Sequence, residues 1–309
     1  MGDDRARCFV VTGGAGFIGS HVADLLIERG HRVVVVDDLS TGKRSNVPDK
    51  AELVELDVTE RDRLLDVVGR AQPDAVCHLA AQASVTFSVR HPDRDLEINV
   101  LGTLNVLEAS RQVGAPVVFA STGGALYGDG VPIPTTEGVA PRPGSPYGAS
   151  KLAGEAYVAT WARLHGLPNV VLRLGNVYGP RQEPHGEAGV VAIFSACLLE
   201  GRTPVVYGGG KPTRDYVYVG DVADAFVAAA ESGRPGTYNV GTGVESSVDV
   251  LLAALQEIAG TSIEPEQAPL RPGELNRSAL DSTLIESELG WRPRMSLAEG
   301  LRVTFESFA

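Results

Sequence analysis

The chain has 309 residues, 43% hydrophobic and 21% charged, which allows a large core and argues against global disorder. Its formal net charge of −12 excludes nucleic-acid binding through a general positive field, so an anionic ligand would need local Arg or Lys residues. The charged N-terminus lacks the apolar stretch of a signal peptide, and no apolar run approaches the roughly 18 residues that span a bilayer. We expect a cytoplasmic protein without membrane contact.

The cysteines and two histidines are candidate metal or redox groups. The number of cysteines is odd and no CxxC spacing occurs among Cys8, Cys77 and Cys197, which favours buried thiols over disulfides or zinc. His78 follows an apolar run and His185 lies in a predicted loop, and neither has a metal-ligand spacing to another histidine. We therefore expect no metal site.

Strand-like and helix-like stretches alternate from the N-terminus. Apolar and β-branched runs predict strands at residues 8–12, 33–36, 53–56, 75–79, 117–120 and 170–174. Helical spacing predicts helices at residues 21–29, 62–68, 95–112 and 150–165. This alternation predicts an α/β fold with a doubly wound, Rossmann-type parallel sheet.

The pattern changes after about Asn176. Pro, Gly and charged residues become frequent, and residues 180–189, 208–213 and 264–274 are predicted loops. The sequence thus predicts a first domain over residues 1–175, to which segments near 214–242 return. A smaller C-terminal substrate-binding lobe is expected over residues 176–309.

A glycine-rich turn follows the first predicted strand and precedes a helix. Gly13, Gly16 and Gly19 have the spacing G-x-x-G-x-x-G, with Phe17 and Ile18 between the last two. Such glycines let the backbone approach a pyrophosphate, and the helix N-terminus supplies amide donors and partial positive charge. The turn predicts a dinucleotide site.

Acidic and small residues follow the next strands. The second strand ends in Asp37-Asp38, where a carboxylate accepts hydrogen bonds from ribose hydroxyls and repels a 2′-phosphate, which favours NAD over NADP. Asp57 and Val58 follow the third strand and are candidates to face the adenine. The fourth ends in Leu79-Ala80-Ala81, where small side chains allow close approach of a cofactor. For these last positions an ordinary strand end is an equal alternative.

Tyr147 and Lys151 stand four residues apart at the start of a predicted helix, so both side chains share one face. A nearby ammonium stabilises a phenolate and lowers the tyrosine pKa from about 10. Such a tyrosine can remove a proton from an alcohol near neutral pH. Behind a dinucleotide turn, the pair predicts dehydrogenase-type chemistry.

Together these residues resemble the extended short-chain dehydrogenase/reductase family, and within it the nucleotide-sugar branch of the UDP-glucose 4-epimerases. The resemblance covers nearly the whole chain and is carried by TGGAGFIGSH (12–21), VVDDLSTG (35–42), HLAAQ (78–82), YGASK (147–151), GNVYGPRQ (175–182), RDYVYVGDVADA (214–225), YNVGTG (238–243) and RPGE (271–274). It implies an enzyme with tightly retained NAD. Tyr147 would take the proton of the sugar 4-hydroxyl while hydride passes from C4 to NAD, and the 4-keto sugar would turn before hydride returns. A homodimer is implied as well, with helices near 95–112 and 150–165 at its interface.

The resemblance also assigns individual residues. Asn176, Arg214 and Arg271 would hold the diphosphate of a UDP-sugar, and Glu274 the uridine ribose. Residues around the uracil and sugar would be Val190, Val191, Val205 and Tyr207. Asn99 would lie beside the nicotinamide, and further cofactor contacts would come from Leu39, Ser40, Thr41, Gly42, Gln82, Ser121 and Leu174.

Two positions depart from the family pattern or bear on substrate size. The family usually has Ser or Thr four residues before the Tyr of Tyr127-Gly128, and here that residue is Gly123. Thr122 or a water would replace the hydroxyl, or proton transfer would run directly to Tyr147. Ser278 falls where relatives gate access for a C2 N-acetyl group, so N-acetylated sugars are expected to fit.

Three functions are compatible with these motifs. The first is a UDP-hexose 4-epimerase. The second is a UDP-uronate 4-epimerase or an NAD-dependent nucleotide-sugar oxidoreductase. The third is a non-catalytic NAD-binding protein, against which the Tyr147 and Lys151 pair argues. Gly123-Gly124 argues against 4,6-dehydratase relatives, which need an Asp-Glu pair there.

Overall fold

The structure is a computed structural model that describes residues 6–184, 189–269 and 275–309. Its strands are β1 (Cys8–Thr12), β2 (Arg32–Asp37), β3 (Glu52–Glu55), β4 (Ala75–His78), β5 (Val117–Thr122), β6 (Val170–Leu174), β7 (Asn176–Tyr178), β8 (Val205–Tyr207), β9 (Thr213–Tyr218), β10 (Gly236–Val240), β11 (Glu245–Ser247) and β12 (Glu266–Ala268). Its helices are α1 (Phe17–Glu28), α2 (Arg61–Ala71), α3 (Val85–Arg90), α4 (Pro92–Leu96), α5 (Gly102–Val113), α6 (Pro146–His165), α7 (Val190–Leu199), α8 (Val219–Ser232), α9 (Val248–Ala259), α10 (Thr283–Leu289) and α11 (Leu297–Glu306).

A seven-stranded sheet has the order β10-β6-β5-β4-β1-β2-β3. The pairs β1–β2, β1–β4, β2–β3 and β4–β5 are parallel. Strands β1, β4, β5 and β6 are buried along their whole length, as expected of a sheet covered on both faces. The order outward from β1 is that of a Rossmann-type fold, so the predicted doubly wound parallel sheet is confirmed.

One predicted helix and one predicted loop differ in kind from their prediction. The helix expected over 95–112 is built from α4, a π-helical turn (Glu97–Leu101) and α5. The loop expected over 264–274 contains the short strand β12, which pairs in parallel with β8. Backbone pairing with a distant strand holds β12 in place, and the composition of the segment does not reveal it.

The chain divides into two compact units. The first comprises Met1–Ser121, Ser145–Arg173 and Ala223–Tyr238, and the second comprises Thr122–Gly144, Leu174–Val222 and Asn239–Ala309. The predicted first domain over residues 1–175 includes 122–144, which this division groups with the second unit, whereas Ala223–Tyr238 lies within the predicted returning region near 214–242. Hydrogen bonds explain why 122–144 groups elsewhere: Thr135 N donates to Ala279 O, Asp281 N donates to Thr135 O, and the Tyr127 hydroxyl donates to Asn239 Oδ1.

Each unit has its own apolar core. The first core packs the sheet against α2, α5 and α6, and Val10, Leu64, Leu107 and Phe119 are among its buried side chains. The second lies between α7, α9, α11 and the small sheet of β11-β9-β7, with Phe194 and Leu251 buried. All three cysteines are buried free thiols, as predicted. Among the described helices, none has the length and apolar character needed to cross a bilayer.

Candidate active site

The glycine turn is tightly packed between β1 and α1. Gly13 has φ +70°, and a Cβ on it would lie 2.5 Å from the backbone nitrogen of Ala80. A Cβ on Gly19 would lie 2.1 Å from the carbonyl oxygen of Gly13. Helix α1 begins at Phe17, and the N–H groups of its first turn have no acceptor within the helix. A turn without side chains at a helix N-terminus fits the pyrophosphate of a dinucleotide.

Asp37 closes β2 beside this turn and is 7% exposed. Its Oδ2 accepts a hydrogen bond from Ala15 N and its Oδ1 one from Leu39 N, both at 2.9 Å. Burial raises the pKa of Asp37, and these two N–H donors oppose that shift. Asp38 is exposed and accepts hydrogen bonds from the backbone and hydroxyl of Ser40 instead. Each carboxylate oxygen of Asp37 accepts one backbone hydrogen bond and keeps a further lone pair for a ribose hydroxyl.

Around Asp37, Leu39 has a positive φ of 57°, and Ser40, Thr41 and Gly42 follow it. A Cβ on Gly42 would lie 2.7 Å from Asp37 Oδ1, so glycine keeps the space beside the carboxylate open. The predicted adenine-facing pair behaves differently. Asp57 Oδ1 accepts a hydrogen bond from Thr59 N, the Val58 side chain lies in the core, and the Val58 carbonyl accepts from Asn105 Nδ2 at 3.0 Å.

The segment after β4 is held by β1 and by Asn99. Leu79 N donates to Thr12 O at 3.0 Å, and Ala80 N lies 3.3 Å from Thr12 Oγ1. Gln82 N donates to Asn99 Oδ1 at 2.9 Å. The small residue Ala81 between them is half-buried. These bonds fix the predicted cofactor segment at the carboxyl end of the sheet.

Asn99 is 1% exposed and lies in the π-helical turn. Its Nδ2 donates to Gln82 O (2.9 Å), Ser150 Oγ (3.1 Å) and Asp95 Oδ1 (3.2 Å). The amide therefore connects the segment after β4 with α6, directly beside Lys151. A π-helical turn often marks a functional site, because it re-aims one side chain out of the helical register.

Tyr147 and Lys151 lie in the first turns of α6. Ser145 caps the helix by accepting from Gly148 N, and Pro146 occupies its first turn. Tyr147 is half-buried, and its N–H donates to Ser88 Oγ at 3.1 Å. Tyr147 and Lys151 thus lie four positions apart in one helix, which puts them on the same helix face.

Lys151 is 4% exposed, and its Nζ donates to Ala120 O at 3.0 Å. The ammonium also stands 5.1 Å from the centroid of the Phe119 ring, a favourable cation–π distance. Burial lowers the pKa of Lys151 to about 8, and the carboxylates of Asp95 and Glu155 oppose that shift. The side chain therefore stays mostly charged at neutral pH, although its pKa lies only slightly above that pH.

Sequence reasoning missed a buried ion pair next to Lys151. Glu155 accepts from Arg173 Nη2 at 2.7 Å and from Ser121 Oγ at 2.5 Å. Both charged side chains are at most 8% exposed. The i, i+4 spacing of Lys151 and Glu155 was the available signal. The Ser121 hydroxyl is thus used inside the protein.

His78 has a structural place. It is buried between Thr12 Oγ1 (2.7 Å) and Thr103 Oγ1 (3.0 Å), and burial together with Lys151 lowers its pKa to about 3. The imidazole is therefore neutral across physiological pH and joins β1, β4 and α5. Among the described residues, no cluster of three or more His, Cys, Asp or Glu could hold a metal ion.

The second unit holds the departure at Gly123. Leu280 fills the space beside it, since a Cβ on Gly123 would lie 2.5 Å from Leu280 Cδ1. Gly123 N donates to the carbonyl of Leu174, whose own side chain is buried. Thr122 is 9% exposed, and its Oγ1 accepts from Ala125 N at 3.2 Å. The space that a side chain at position 123 would take is thus occupied by Leu280.

Asn176 and Arg214 lie on the neighbouring parallel strands β7 and β9. Asn176 pairs with Tyr216, so it shares a sheet face with Tyr216 and Arg214. Arg214 Nη1 donates to its neighbour Thr213 O at 2.8 Å. The structure therefore brings these two predicted diphosphate ligands onto one small sheet.

The remaining predicted substrate residues are spread over the second unit. Val190 begins α7 half-buried, whereas Val191 belongs to the core. Val205 and Tyr207 are the half-buried ends of β8, and Ser278 is 8% exposed. Arg271, Glu274 and His185 lie outside the described residues.

Comparison with known proteins identifies relatives along the whole chain. Residues 9–241 match the sequence model of the NAD dependent epimerase/dehydratase family. The chain is 47% identical over 306 residues to the UDP-glucose 4-epimerase of Mycolicibacterium smegmatis, covering 97% of each protein.

Two solved structures agree with this chain in fold. The UDP-glucose 4-epimerase of Thermotoga maritima with UDP-glucose superposes with a TM-score of 0.96 at 47% identity, covering 97% of this chain and 98% of that one. The Thermus thermophilus UDP-glucose 4-epimerase in complex with NAD gives a TM-score of 0.91 at 48% identity, with the same coverage.

Proposed function

Because this chain belongs to the NAD dependent epimerase/dehydratase family, we propose that it interconverts UDP-glucose and UDP-galactose with tightly bound NAD. The observation that carries this is identity of 47% to UDP-glucose 4-epimerases over almost the full chain, combined with Tyr147 and Lys151 on α6. A conserved fold alone would not specify the reaction, since function resides in the site.

NAD is assigned to the first unit. The glycine turn at the start of α1 would hold its pyrophosphate, and Asp37 its adenosine ribose. The fit rests on the absence of side chains at Gly13 and Gly19, whose positions leave no room for a Cβ. When bound, NAD supplies the hydride acceptor and donor at sugar C4. A carboxylate at Asp37 disfavours the extra phosphate of NADP.

Tyr147 is the proposed acid and base. Its phenolate takes the proton of the sugar 4-hydroxyl as C4 is oxidised, and it returns that proton to the oxygen when C4 is reduced on its other face. Lys151 is the group that stabilises the phenolate, because a charged, nearly desolvated ammonium interacts strongly with a nearby anion. Proton and hydride are both returned, so the reaction has no net redox change.

The UDP portion is assigned to the second unit. Asn176 and Arg214 donate to the diphosphate, for which a guanidinium fork is well suited. Arg271 and Glu274 complete the assignment from the sequence, together with Val190, Val191, Val205 and Tyr207 near the uracil and sugar. Thr122 is the proposed replacement for the hydroxyl absent at Gly123. The small side chain of Ser278 favours acceptance of N-acetylated sugars.

We also propose a homodimer in the cytoplasm. Apolar side chains on α3, α4, the π-helical turn and α6 are exposed, including Val89 (62%), Leu96 (59%), Leu101 (43%) and Leu164 (67%). These elements pack against one another, so exposed apolar side chains along them fit a protein–protein interface. Buried free thiols suit a reducing compartment.

The test is to incubate the purified protein, without added cofactor, with UDP-glucose, UDP-N-acetylglucosamine and UDP-glucuronate in separate reactions. Formation of UDP-galactose from UDP-glucose supports the proposal, and turnover of the N-acetylated sugar supports the assignment of Ser278. Conversion of UDP-glucuronate alone would assign the uronate epimerase instead. Stoichiometric consumption of added NADH would indicate a reductase.

A further inference from the structure

Asp215, the residue after Arg214 on β9, is a buried carboxylate that the proposed reaction does not use. It is 1% exposed. Its Oδ1 accepts from Thr242 N at 2.8 Å and from Thr242 Oγ1 at 2.6 Å. Its Oδ2 accepts from Gly243 N and from Leu280 N, both at 3.0 Å. Four donors therefore converge on one desolvated anion.

These bonds join three segments that are distant in sequence: β9, the turn after β10, and the segment that leads into α10. The turn is built around the carboxylate, because a Cβ on Gly241 would lie 2.4 Å from Asp215 Oδ2. A buried carboxylate that loses its donors, or donors that lose the carboxylate, is costly. The relative positions of the three segments thus depend on Asp215.

Two of the segments carry residues assigned to the nucleotide sugar. Arg214 precedes Asp215, and successive side chains of a strand point to opposite faces, so Asp215 can anchor β9 while Arg214 faces the other way. Ser278 lies just before Leu280, whose N–H is held by the carboxylate and whose side chain packs on Gly123. Asp215 therefore fixes the backbone of β9 beside Arg214 and the backbone of the segment that follows Ser278.

We propose that Asp215 is a positioning residue for the UDP-sugar, which presets Arg214 and the Ser278 segment before the ligand arrives. The inference rests on the proposed function, in particular on Arg214 as a ligand of the diphosphate. Its physical basis is preorganisation: an arginine on a strand that is already fixed loses less conformational freedom on binding.

The experiment is calorimetric titration of UDP into the NAD-loaded protein, for the wild type, Asp215→Asn, Arg214→Met and the double variant. UDP lacks the sugar, so it reports the diphosphate contacts. We expect Asp215→Asn to weaken UDP binding about tenfold, the scale of one lost hydrogen bond to a charged group. If Asp215 acts through Arg214, the double variant binds UDP within about threefold of Arg214→Met alone.

Asp221→Asn is the matched control. Asp221 is also buried (6% exposed) in the second unit, and its Oδ2 accepts from Met295 N at 3.0 Å. This variant is expected to lose thermal stability while binding UDP within about twofold of the wild type. Thr242→Val keeps the carboxylate and removes one hydroxyl donor, so it serves if Asp215→Asn does not fold. We expect about threefold weaker UDP binding for it.

The inference is overturned if Asp215→Asn, or Thr242→Val in its place, binds UDP as the wild type does. It is also overturned if Asp221→Asn weakens UDP binding equally, or if the penalties of Asp215→Asn and Arg214→Met multiply. A wild type that does not bind UDP, or an Arg214→Met variant that binds it unchanged, contradicts the substrate assignment in the proposed function and removes the basis of this inference.

Discussion

At the scale of single residues, the site depends on one desolvated cation. Lys151 is fixed by Ala120 O and lies near the carboxylates of Asp95 and Glu155. Burial disfavours its charge, and those two anions partly restore it. The sequence identified Tyr147 and Lys151 as a pair. It could not identify Arg173, the partner of Glu155, because that contact is made only when β6 lies beside α6.

Replacing Tyr147 by Phe removes the proposed acid and base while leaving the backbone bond to Ser88 in place. We expect the variant to fold and retain NAD while turnover of UDP-glucose falls by about 10² or more. Tyr157→Phe is the control, since this tyrosine is exposed on the same helix. Steady-state kinetics and the NAD content of the purified proteins provide the measurement. Near-normal turnover of Tyr147→Phe would contradict the assignment.

Lys151 should make the NAD-free protein more stable as pH rises. Its folded pKa of about 8 lies below that of an unfolded lysine, about 10.4, so the unfolded chain binds more protons between these values. Lys151→Met is therefore expected to be about 1–3 kcal/mol more stable than the wild type at pH 7, with the difference shrinking toward pH 10.

Urea unfolding of the NAD-free proteins at several pH values measures this effect. Lys50→Met, which replaces an exposed lysine, controls for the general effect of losing a positive charge. A Lys151→Met variant that is less stable than the wild type at every pH would show that the hydrogen bond to Ala120 O outweighs the cost of burying the charge.

At the scale of elements, local pattern located strands β1 to β6 well but did not predict β7 to β12. The predicted bounds of β1 and β6 agree with the structure, because both are short apolar runs with clear ends. Helix α1 begins at Phe17 and not at His21, because Gly19 in its first turn hides the apolar spacing. Neither β12 nor the four hydrogen bonds of Asp215 can be predicted from local pattern, since they join residues up to 65 positions apart.

Two helical glycines give a matched test of the dinucleotide turn. In Gly19→Ala the new methyl meets the Gly13 carbonyl oxygen, whereas Gly69 on α2 has open space around it. We expect Gly19→Ala to be purified with little bound NAD. Gly69→Ala should keep its NAD and gain about 0.5–1 kcal/mol, because alanine favours the helix. Absorbance of released cofactor and urea unfolding measure the two effects. Equal NAD content in both variants would argue against the glycine turn as the site of the NAD pyrophosphate.

At the scale of the whole molecule, the grouping of residues into two units was less predictable than the fold class. Thr122–Gly144 belongs to the second unit, to which Thr135 is joined by hydrogen bonds with Ala279 and Asp281. Those bonds leave no periodic signal in the sequence. Motifs, by contrast, can be read directly from the sequence, so the resemblance assigned Asn176 and Arg214 without the structure. The structure then places these two residues on adjoining strands.

The proposed dimer is tested by charge insertion on the exposed apolar face. Leu101→Glu and Leu164→Glu place a carboxylate on the π-helical turn and on α6, where burial against a second copy would be unfavourable. We expect both variants to sediment as monomers at about 10 µM, a concentration at which a standard interface is stable. Val250→Glu, on an exposed position of α9 in the second unit, should remain dimeric. A monomeric wild type would contradict the proposal.

The central claim is that C4 of a UDP-hexose is inverted by transient oxidation with retained NAD. The most direct measurement is the reaction of UDP-glucose in D₂O, without added cofactor, followed by NMR of the product. The account predicts UDP-galactose with protium at C4, because the hydride that leaves C4 returns to it and does not exchange with solvent. Deuterium at C4, or no 4-epimer from a folded protein that carries NAD, would contradict it.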